Sequence, residues 1–148
     1  GTFATGVTVI TTEVDGRLHG FTANAVTSVS LDPMLLLVCV DKRAHAHGEL
    51  AKALRFGVSI LAEDQRDLSN LFAKSAEPVV GSLRGVAFRR GVTGVPLLDG
   101  ALACLECESE RALDGGDHTI YLGRVVEGAL VGDARPLVYY QGSYRTIA

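Results

Sequence analysis

The sequence predicts a single, mainly β domain, built as a closed or nearly closed antiparallel barrel with two inserted helices. Three observations lead to this prediction. About seven segments with strand patterns follow one another at short spacing. The 17 glycines are spread along the chain, as in a turn-rich protein, and 47% of the residues are hydrophobic. A chain of 148 residues also has the ordinary size of one domain with one core.

The first half of the chain predicts three strands, two helices and a fourth strand between the helices. Thr5–Glu13 and Arg17–Ala25 alternate apolar and polar residues around Asp15-Gly16, a dipeptide typical of hairpins, so these two strands should pair. Met34–Val40 is continuously apolar, which predicts a central strand covered on both faces. The following elements are helix His45–Leu54, strand Phe56–Leu61 and helix Asp64–Phe72, the last with Asp64 as its N-cap.

The second half predicts a long loop followed by the clearest β region. Ala73–Asp99 has little periodicity and is expected to be a loop with one short element at Val86–Arg89. The predicted strands are Ala101–Leu113 and His118–Val131 around the turn Asp114–Asp117, then Leu137–Gln141 and Ser143–Ile147 around Gly142. No internal repeat or domain boundary is visible, so residues 1–148 are expected to form one domain.

Composition and charge exclude several classes of function. The formal net charge is −3 and the longest basic run is Arg89-Arg90, which argues against a nucleic-acid partner. The chain has no apolar run of about 20 residues and no signal-peptide pattern, which predicts a cytoplasmic protein without a membrane segment. The three cysteines are expected to be free thiols. Because the chain begins at Gly1-Thr2-Phe3 rather than at Met, we expect that a short preceding segment is missing.

The segment Gly20–His47 carries the strongest functional signal. It combines short polar side chains with one apolar strand, Met34–Val40, that ends in Asp41-Lys42-Arg43. The two cations, Lys42 and Arg43, lie at the end of the strand. A phosphate at this position could also bind free backbone N–H groups. The short polar side chains are Thr22, Asn24, Thr27, Ser28 and Ser30. The segment therefore predicts half of a site for a phosphorylated, flat cofactor with a polar edge.

Five segments in one order along the chain resemble the flavin reductase family, whose members use NADH or NADPH to reduce FMN or FAD. They are Phe3–Thr12, His19–Asn24, Thr27–Pro33, Gly116–Thr119 and Tyr139–Tyr144. The resemblance implies a split β-barrel of the Greek-key, FMN-binding type. It also implies a homodimer with each flavin near the subunit interface, and a monooxygenase that receives reduced flavin.

The resemblance implies roles for particular residues. Thr22, Ala23, Asn24 and Ala25 would meet the isoalloxazine edge, and Thr27 and Ser28 the ring and ribityl side. The phosphate would lie on the segment Cys39, Val40, Asp41, Lys42, Arg43, Ala44 and His45, and Phe72 and Ala73 would stand near the flavin. Asp117 and the candidate catalytic residue His118 would lie beside the nicotinamide, with Tyr144 also against the pyridine nucleotide.

Structural roles remain open for each group of residues. The hydroxyl-rich run could satisfy its own turns, the Asp41–Arg43 turn could be merely solvated, Phe72 could be a core aromatic, and His118 could bond a neighbouring carbonyl. Because no G-x-G-x-x-G follows a strand, the nicotinamide is expected to bind by stacking.

No metal site is predicted. Cys104 and Cys107 would point to opposite faces of a strand, and His45, His47 and Glu49 are better explained as the start of a helix. The alternative function is a non-catalytic flavin-binding electron carrier or another split-barrel flavoprotein.

Overall fold

A computed structural model describes residues 1–148 as thirteen β-strands and two α-helices. The strands are β1 (Thr5–Gly6), β2 (Thr8–Val14), β3 (Arg17–Ala23), β4 (Val26–Leu31), β5 (Met34–Asp41), β6 (Arg55–Ile60), β7 (Val79–Val80), β8 (Phe88–Arg90), β9 (Pro96–Leu98), β10 (Ala103–Gly115), β11 (His118–Leu130), β12 (Val138–Tyr140) and β13 (Ser143–Arg145). The helices are α1 (His45–Lys52) and α2 (Arg66–Ala73). The predicted mainly β class is confirmed.

The main sheet has eight strands in the order β4-β5-β11-β10-β6-β2-β3-β7, all paired antiparallel. The prediction was a closed or nearly closed barrel, and full closure is not made, because the edge strands β4 and β7 do not pair with each other. The reason is local, because β7 has only two residues and bonds only the start of β3. A smaller sheet joins β1, β12 and β13, and β8 and β9 form a separate hairpin.

The hairpin of β10 and β11 is the longest element of the sheet and crosses its middle. Gly115 pairs with His118 across a tight turn in which Gly116 has a φ of +80°, a conformation that favours glycine. The strand β10 therefore extends two residues beyond its predicted end, and His118 is placed at the start of β11 next to the tip.

The segment Val26–Leu31, for which the sequence predicted no strand, forms the strand β4. Its backbone pairs with β5, with Thr27 opposite Leu37 and Ser28 opposite Leu36. In this edge strand the side chains of Thr27 and Ser28 are exposed to solvent, and that of Ser30 is half-buried.

The prediction that Met34–Val40 is covered on both faces is also wrong. The corresponding strand β5 is second from the edge, and its burial alternates along the chain. Leu36 and Val38 lie in the core, whereas Leu35 and Leu37 on the other face are half-buried. The run is apolar throughout because its outward face is apolar too, although this chain covers that face only in part.

Several predicted boundaries change for identifiable reasons. The first strand is interrupted at Val7, whose carbonyl accepts a hydrogen bond from Leu61 N–H. Asp64 does not cap α2, since Gln65 is the N-cap residue and makes no side-chain cap. The Gln65 amide instead bonds Ala62 N–H and the Asp99 carbonyl. The expected long loop Ala73–Asp99 contains three short strands, two of which pair with each other.

The two helices pack on opposite sides of β3 and define two cores. Leu50 of α1 packs with Ile10, Phe56 and Val58 in one cluster, and Phe72 of α2 belongs to the other. Cys39, Cys104 and Cys107 are free thiols. No helix of the structure is long and apolar enough to span a membrane.

Candidate functional site

A cleft of about 620 Å³ opens where β3 and β5 end between the two helices. Ligand pockets typically measure about 300–1,000 Å³, so the cleft is large enough for a cofactor. Its lining residues are His19, Gly20, Phe21, Thr22, Ala23, Asn24, Ala25, Cys39, Val40, Asp41, Arg43, Ala44, His45, Ala46, Phe72, Ala73, Lys74, Ser75 and His118. The cleft thus unites segments from four separate parts of the chain.

One wall of the cleft is the shelf formed by Thr22–Ala25, where β3 leaves the sheet. The carbonyl of Ala23 accepts the Thr8 hydroxyl at 2.7 Å, and the carbonyl of Ala25 accepts Cys39 N–H at 3.0 Å. No acceptor within the chain is found for the N–H groups of Asn24 and Ala25. On the shelf the carbonyls of Ala23 and Ala25 are therefore occupied, while the N–H groups of Asn24 and Ala25 remain unpaired.

The expected phosphate segment uses its own loop donors internally. Lys42 N–H bonds the Asp117 carbonyl at 3.0 Å, Arg43 N–H bonds Asp41 Oδ1 at 2.8 Å, and Ala44 N–H bonds the Asp41 carbonyl at 3.1 Å. Ala44 is also the N-cap of α1 and makes no side-chain cap. The donors left for an anion are the first N–H groups of α1, which have no intrahelical acceptor.

The two cations of this loop are differently placed. Lys42 lies outside the cleft, where its ammonium pairs with Asp114 of β10. The Arg43 guanidinium bonds Asp41 Oδ2 at 2.9 Å, and this contact holds the pKa of Asp41 well below its usual range. Arg43 remains 86% exposed at the rim of the cleft, so it can also meet a solvent-facing anion.

His118 is fixed at the cleft by its neighbour in the turn. Its Nδ1 lies 2.7 Å from Asp117 Oδ1. A carboxylate only accepts hydrogen bonds, so Nδ1 carries the proton and Nε2 is the nitrogen left free. His118 also pairs with Asp41 across β11 and β5, and both residues line the cleft.

The end of α2 supplies a further wall. The Phe72 ring is 2% exposed and packs against Gly20 of β3, so it is both a core aromatic and a lining residue. Thr22 donates its hydroxyl proton to the carbonyl of Ser69 in α2 at 2.7 Å. Together these contacts hold α2 against the shelf.

Five predicted site residues do not line the cleft. They are Thr27, Ser28, Lys42, Asp117 and Tyr144. Thr27 and Ser28 follow β4 along the sheet edge, while Lys42 and Asp117 bond other residues at the cleft's rim. Tyr144 lies behind α2, with its hydroxyl 2.6 Å from Ser69 Oγ.

Sequence reasoning missed six lining residues, namely His19, Gly20, Phe21, Ala46, Lys74 and Ser75. The two-residue period of a strand places His19 and Phe21 on the same face as Ala23, and this signal was available in the sequence. His19 is only 6% exposed, its Nδ1 has no partner, and burial lowers its pKa.

Comparison with known proteins decides the family. The model of the flavin reductase like domain matches residues 1–148. The chain belongs to the flavin reductase-like family. It is similar to an NADH-dependent flavin reductase from a Rhodococcus species, at 46% identity over 151 residues, which covers 99% of this chain and 82% of the relative.

Other members of the family are longer than this chain. The reductase component of the flavin-dependent trigonelline monooxygenase of Acinetobacter baylyi is 42% identical over 149 residues. That match covers 100% of this chain and 47% of the relative, so the chain spans about half of the relative's length.

Solved structures of flavin reductases share the fold. The NADH:FAD oxidoreductase of Streptomyces globisporus, solved with NAD and FAD fragments, superposes with a TM-score of 0.92 at 38% identity, covering 99% of this chain and 87% of that one. BorF, the flavin reductase component of a bacterial two-component tryptophan halogenase, gives a TM-score of 0.90 at 44% identity. The match covers 99% of this chain and 92% of that one. The split-barrel class that the sequence resemblance implied is confirmed.

Proposed function

We propose that this protein is a flavin reductase that transfers a hydride from NADH or NADPH to FMN or FAD. The observation that carries the proposal is a cleft of about 620 Å³ lined both by the shelf with its two unpaired N–H groups and by His118, in a chain of the flavin reductase-like family. The flavin supplies the hydride acceptor when it is bound. The protein contributes orientation and the exclusion of competing reactions.

The residues present fit a flavin. A flavin ring is flat and apolar on its faces, with carbonyl and nitrogen acceptors along one edge. Asn24 and Ala25 offer N–H donors for such an edge, and Phe21, Ala23 and Phe72 give the cleft apolar surface. Thr22 lines the same wall, and its hydroxyl proton is already donated to Ser69.

The phosphate would lie at the other end of the cleft. The first N–H groups of α1 point out of the helix start, and the side chains of Arg43 and His45 stand beside them. In this arrangement the start of α1, rather than Lys42, supplies the hydrogen-bond donors for the phosphate. Lys42 instead holds the β10–β11 turn through Asp114.

His118 would contact the nicotinamide. Its Nδ1 bonds Asp117 and the residue lines the cleft, so the free Nε2 would be available to the nicotinamide. The nicotinamide and the flavin would supply the hydride donor and acceptor when bound, so the protein is not required to provide a reactive side chain. Asp117 acts through His118 and is therefore a positioning residue.

The proposal includes a homodimer and a monooxygenase that uses the reduced flavin in the cytoplasm. Exposed apolar side chains along the edge formed by β4 and the start of β5 support the dimer, since Val29, Leu31 and Met34 are exposed by 47%, 80% and 48%. Apolar patches of this kind are typical of interfaces. A monomeric mass measured by light scattering at working concentration would contradict the dimer.

Steady-state kinetics test the function. NADH and NADPH, each crossed with FMN, FAD and riboflavin, should show nicotinamide oxidation that increases with added free flavin. A flavin-loaded protein that oxidises neither nicotinamide would instead support the electron carrier.

His118→Ala tests the proposed nicotinamide site. The loss of one ring contact should raise the KM for the nicotinamide about three- to ten-fold, while the Kd for flavin stays nearly unchanged. Asp117→Asn is the matched comparison and should give a smaller change in the same constant. An unchanged KM in His118→Ala would remove this residue from the site.

A further inference from the structure

A chain of hydrogen bonds connects the C-terminal hairpin to the cleft. It runs from Tyr144 through Ser69 to Thr22. The Tyr144 hydroxyl lies 2.6 Å from Ser69 Oγ, and the carbonyl of Ser69 accepts the Thr22 hydroxyl at 2.7 Å. Ser69 is fully buried in α2, and Thr22 lines the cleft. Ser69 of α2 is thus bonded to β13 through its side chain and to the shelf through its backbone carbonyl.

The ring of Tyr144 is held in place independently of this bond. It meets the Tyr139 ring edge-on, with 5.4 Å between centroids and an interplanar angle of 60°. The Arg66 guanidinium, from the first turn of α2, lies 5.5 Å from its centroid. Both contacts aim the hydroxyl at Ser69 rather than into the cleft, of which Tyr144 is not a lining residue.

The position of α2 matters for the cleft because the next turn of the helix forms a wall. Phe72 and Ala73 follow Ser69 by three and four residues, and both line the cleft. A displacement of Ser69 would therefore move this wall and also release the Thr22 hydroxyl. With its proton given to Ser69, Thr22 can only accept a hydrogen bond from a ligand.

We propose that Tyr144 is a positioning residue for flavin binding. Tyr144 bonds Ser69 and so keeps α2 at a fixed distance from β3. At this distance Thr22 and Phe72 form one wall of the cleft. Tyr144 makes no contact with the nicotinamide. This inference rests on the proposed function, and it assigns Tyr144 a role different from the one its motif suggested.

Two variants of the same hydrogen bond test the proposal. Tyr144→Phe and Ser69→Ala each remove one partner and should each raise the Kd for FMN about three- to ten-fold. The double variant should bind FMN no more weakly than the weaker single variant, because both lose one shared bond. The KM for NADH at saturating FMN should stay within about two-fold, since a positioning residue for the flavin leaves the nicotinamide contacts intact.

Other results would overturn the proposal. A higher KM for NADH with an unchanged Kd for FMN in Tyr144→Phe would show direct nicotinamide contact. Additive effects of the two substitutions, or no effect of either, would show that the bond does not position the wall. Tyr139→Phe is the matched control, since the same hairpin carries this tyrosine and its hydroxyl makes no hydrogen bond within the chain. Its Kd for FMN should equal that of the wild type.

FMN binding is measured by fluorescence and needs no turnover. The proposed reductase function and the proposed role of Tyr144 can therefore fail independently. A wild type that binds FMN without oxidising NADH would contradict the reductase function, and the Kd measurements would still decide the role of Tyr144. Faster amide hydrogen exchange in α2 of Tyr144→Phe is expected even without flavin, and unchanged exchange would contradict the positioning role.

Discussion

Gly20→Ala should weaken both the fold and the binding of flavin. A Cβ at position 20 would lie 2.8 Å and 3.0 Å from two ring carbons of Phe72, and 3.4 Å from Leu83 Cδ1. Real Cβ atoms essentially never approach within 3.0 Å, so the ring must move. Leu83 is 1% exposed and packs in the same cluster, which leaves the ring little room on the core side.

The expected size follows from two opposing terms. Overpacking of a core costs about 1–3 kcal/mol, and replacing Gly by Ala within a strand recovers about 0.5–1 kcal/mol of backbone entropy. We therefore expect the free energy of unfolding to fall by about 1–2 kcal/mol. Because Phe72 also lines the cleft, the Kd for FMN should rise about ten-fold, which corresponds to about 1.4 kcal/mol.

Urea unfolding and FMN titration measure the two effects. Gly48→Ala is the matched control, because Gly48 lies in α1 and a Cβ there would have nothing within 4 Å. That variant should be more stable than the wild type by up to about 1 kcal/mol, with unchanged flavin affinity. Wild-type stability together with wild-type Kd in Gly20→Ala would refute the argument that Gly20 makes room for Phe72.

Two further predictions concern titratable groups in and near the cleft. Burial lowers the pKa of His19 from its ordinary value of 6.5, so the unfolded chain binds a proton more readily than the folded one. The free energy of unfolding should therefore fall as the pH drops below about 6.5, and urea unfolding of His19→Gln should lack this part of the pH dependence. Cys39 is half-buried in the cleft, whereas burial raises the pKa of Cys107 to about 12 and also raises that of Cys104. A thiol reagent should label Cys39 alone in the native protein, and bound FMN should slow the labelling; fast labelling of Cys39→Ser would contradict this assignment.

Much of the candidate site was predictable because its signals are local. Gly115-Gly116 predicts a tight turn from the conformational freedom of glycine alone, and the residue after that turn, His118, starts a strand. The family resemblance pointed to Thr22–Ala25, the residues that form the shelf. Both segments line the same cleft, although the resemblance rather than any spacing brought them together.

The sequence could not show how polar groups are shared between distant segments. Lys42 stood in a basic loop suited to a phosphate, yet it pairs with Asp114, 72 residues further along the chain. Tyr144 stood in a motif associated with the nicotinamide, yet its hydroxyl bonds Ser69, 75 residues before it. A donor's partner depends on which strands become neighbours, and single-sequence patterns do not contain that information.

The amino-acid sequence by itself determined a mainly β chain, the turn that carries His118, and the family to which the chain belongs. Only the tertiary structure decided that the sheet stays open between β4 and β7, and that Asn24 and Ala25 keep their N–H groups free. Strand periodicity is a property of a few neighbouring residues, whereas an unpaired donor exists only because every other segment has found a different partner.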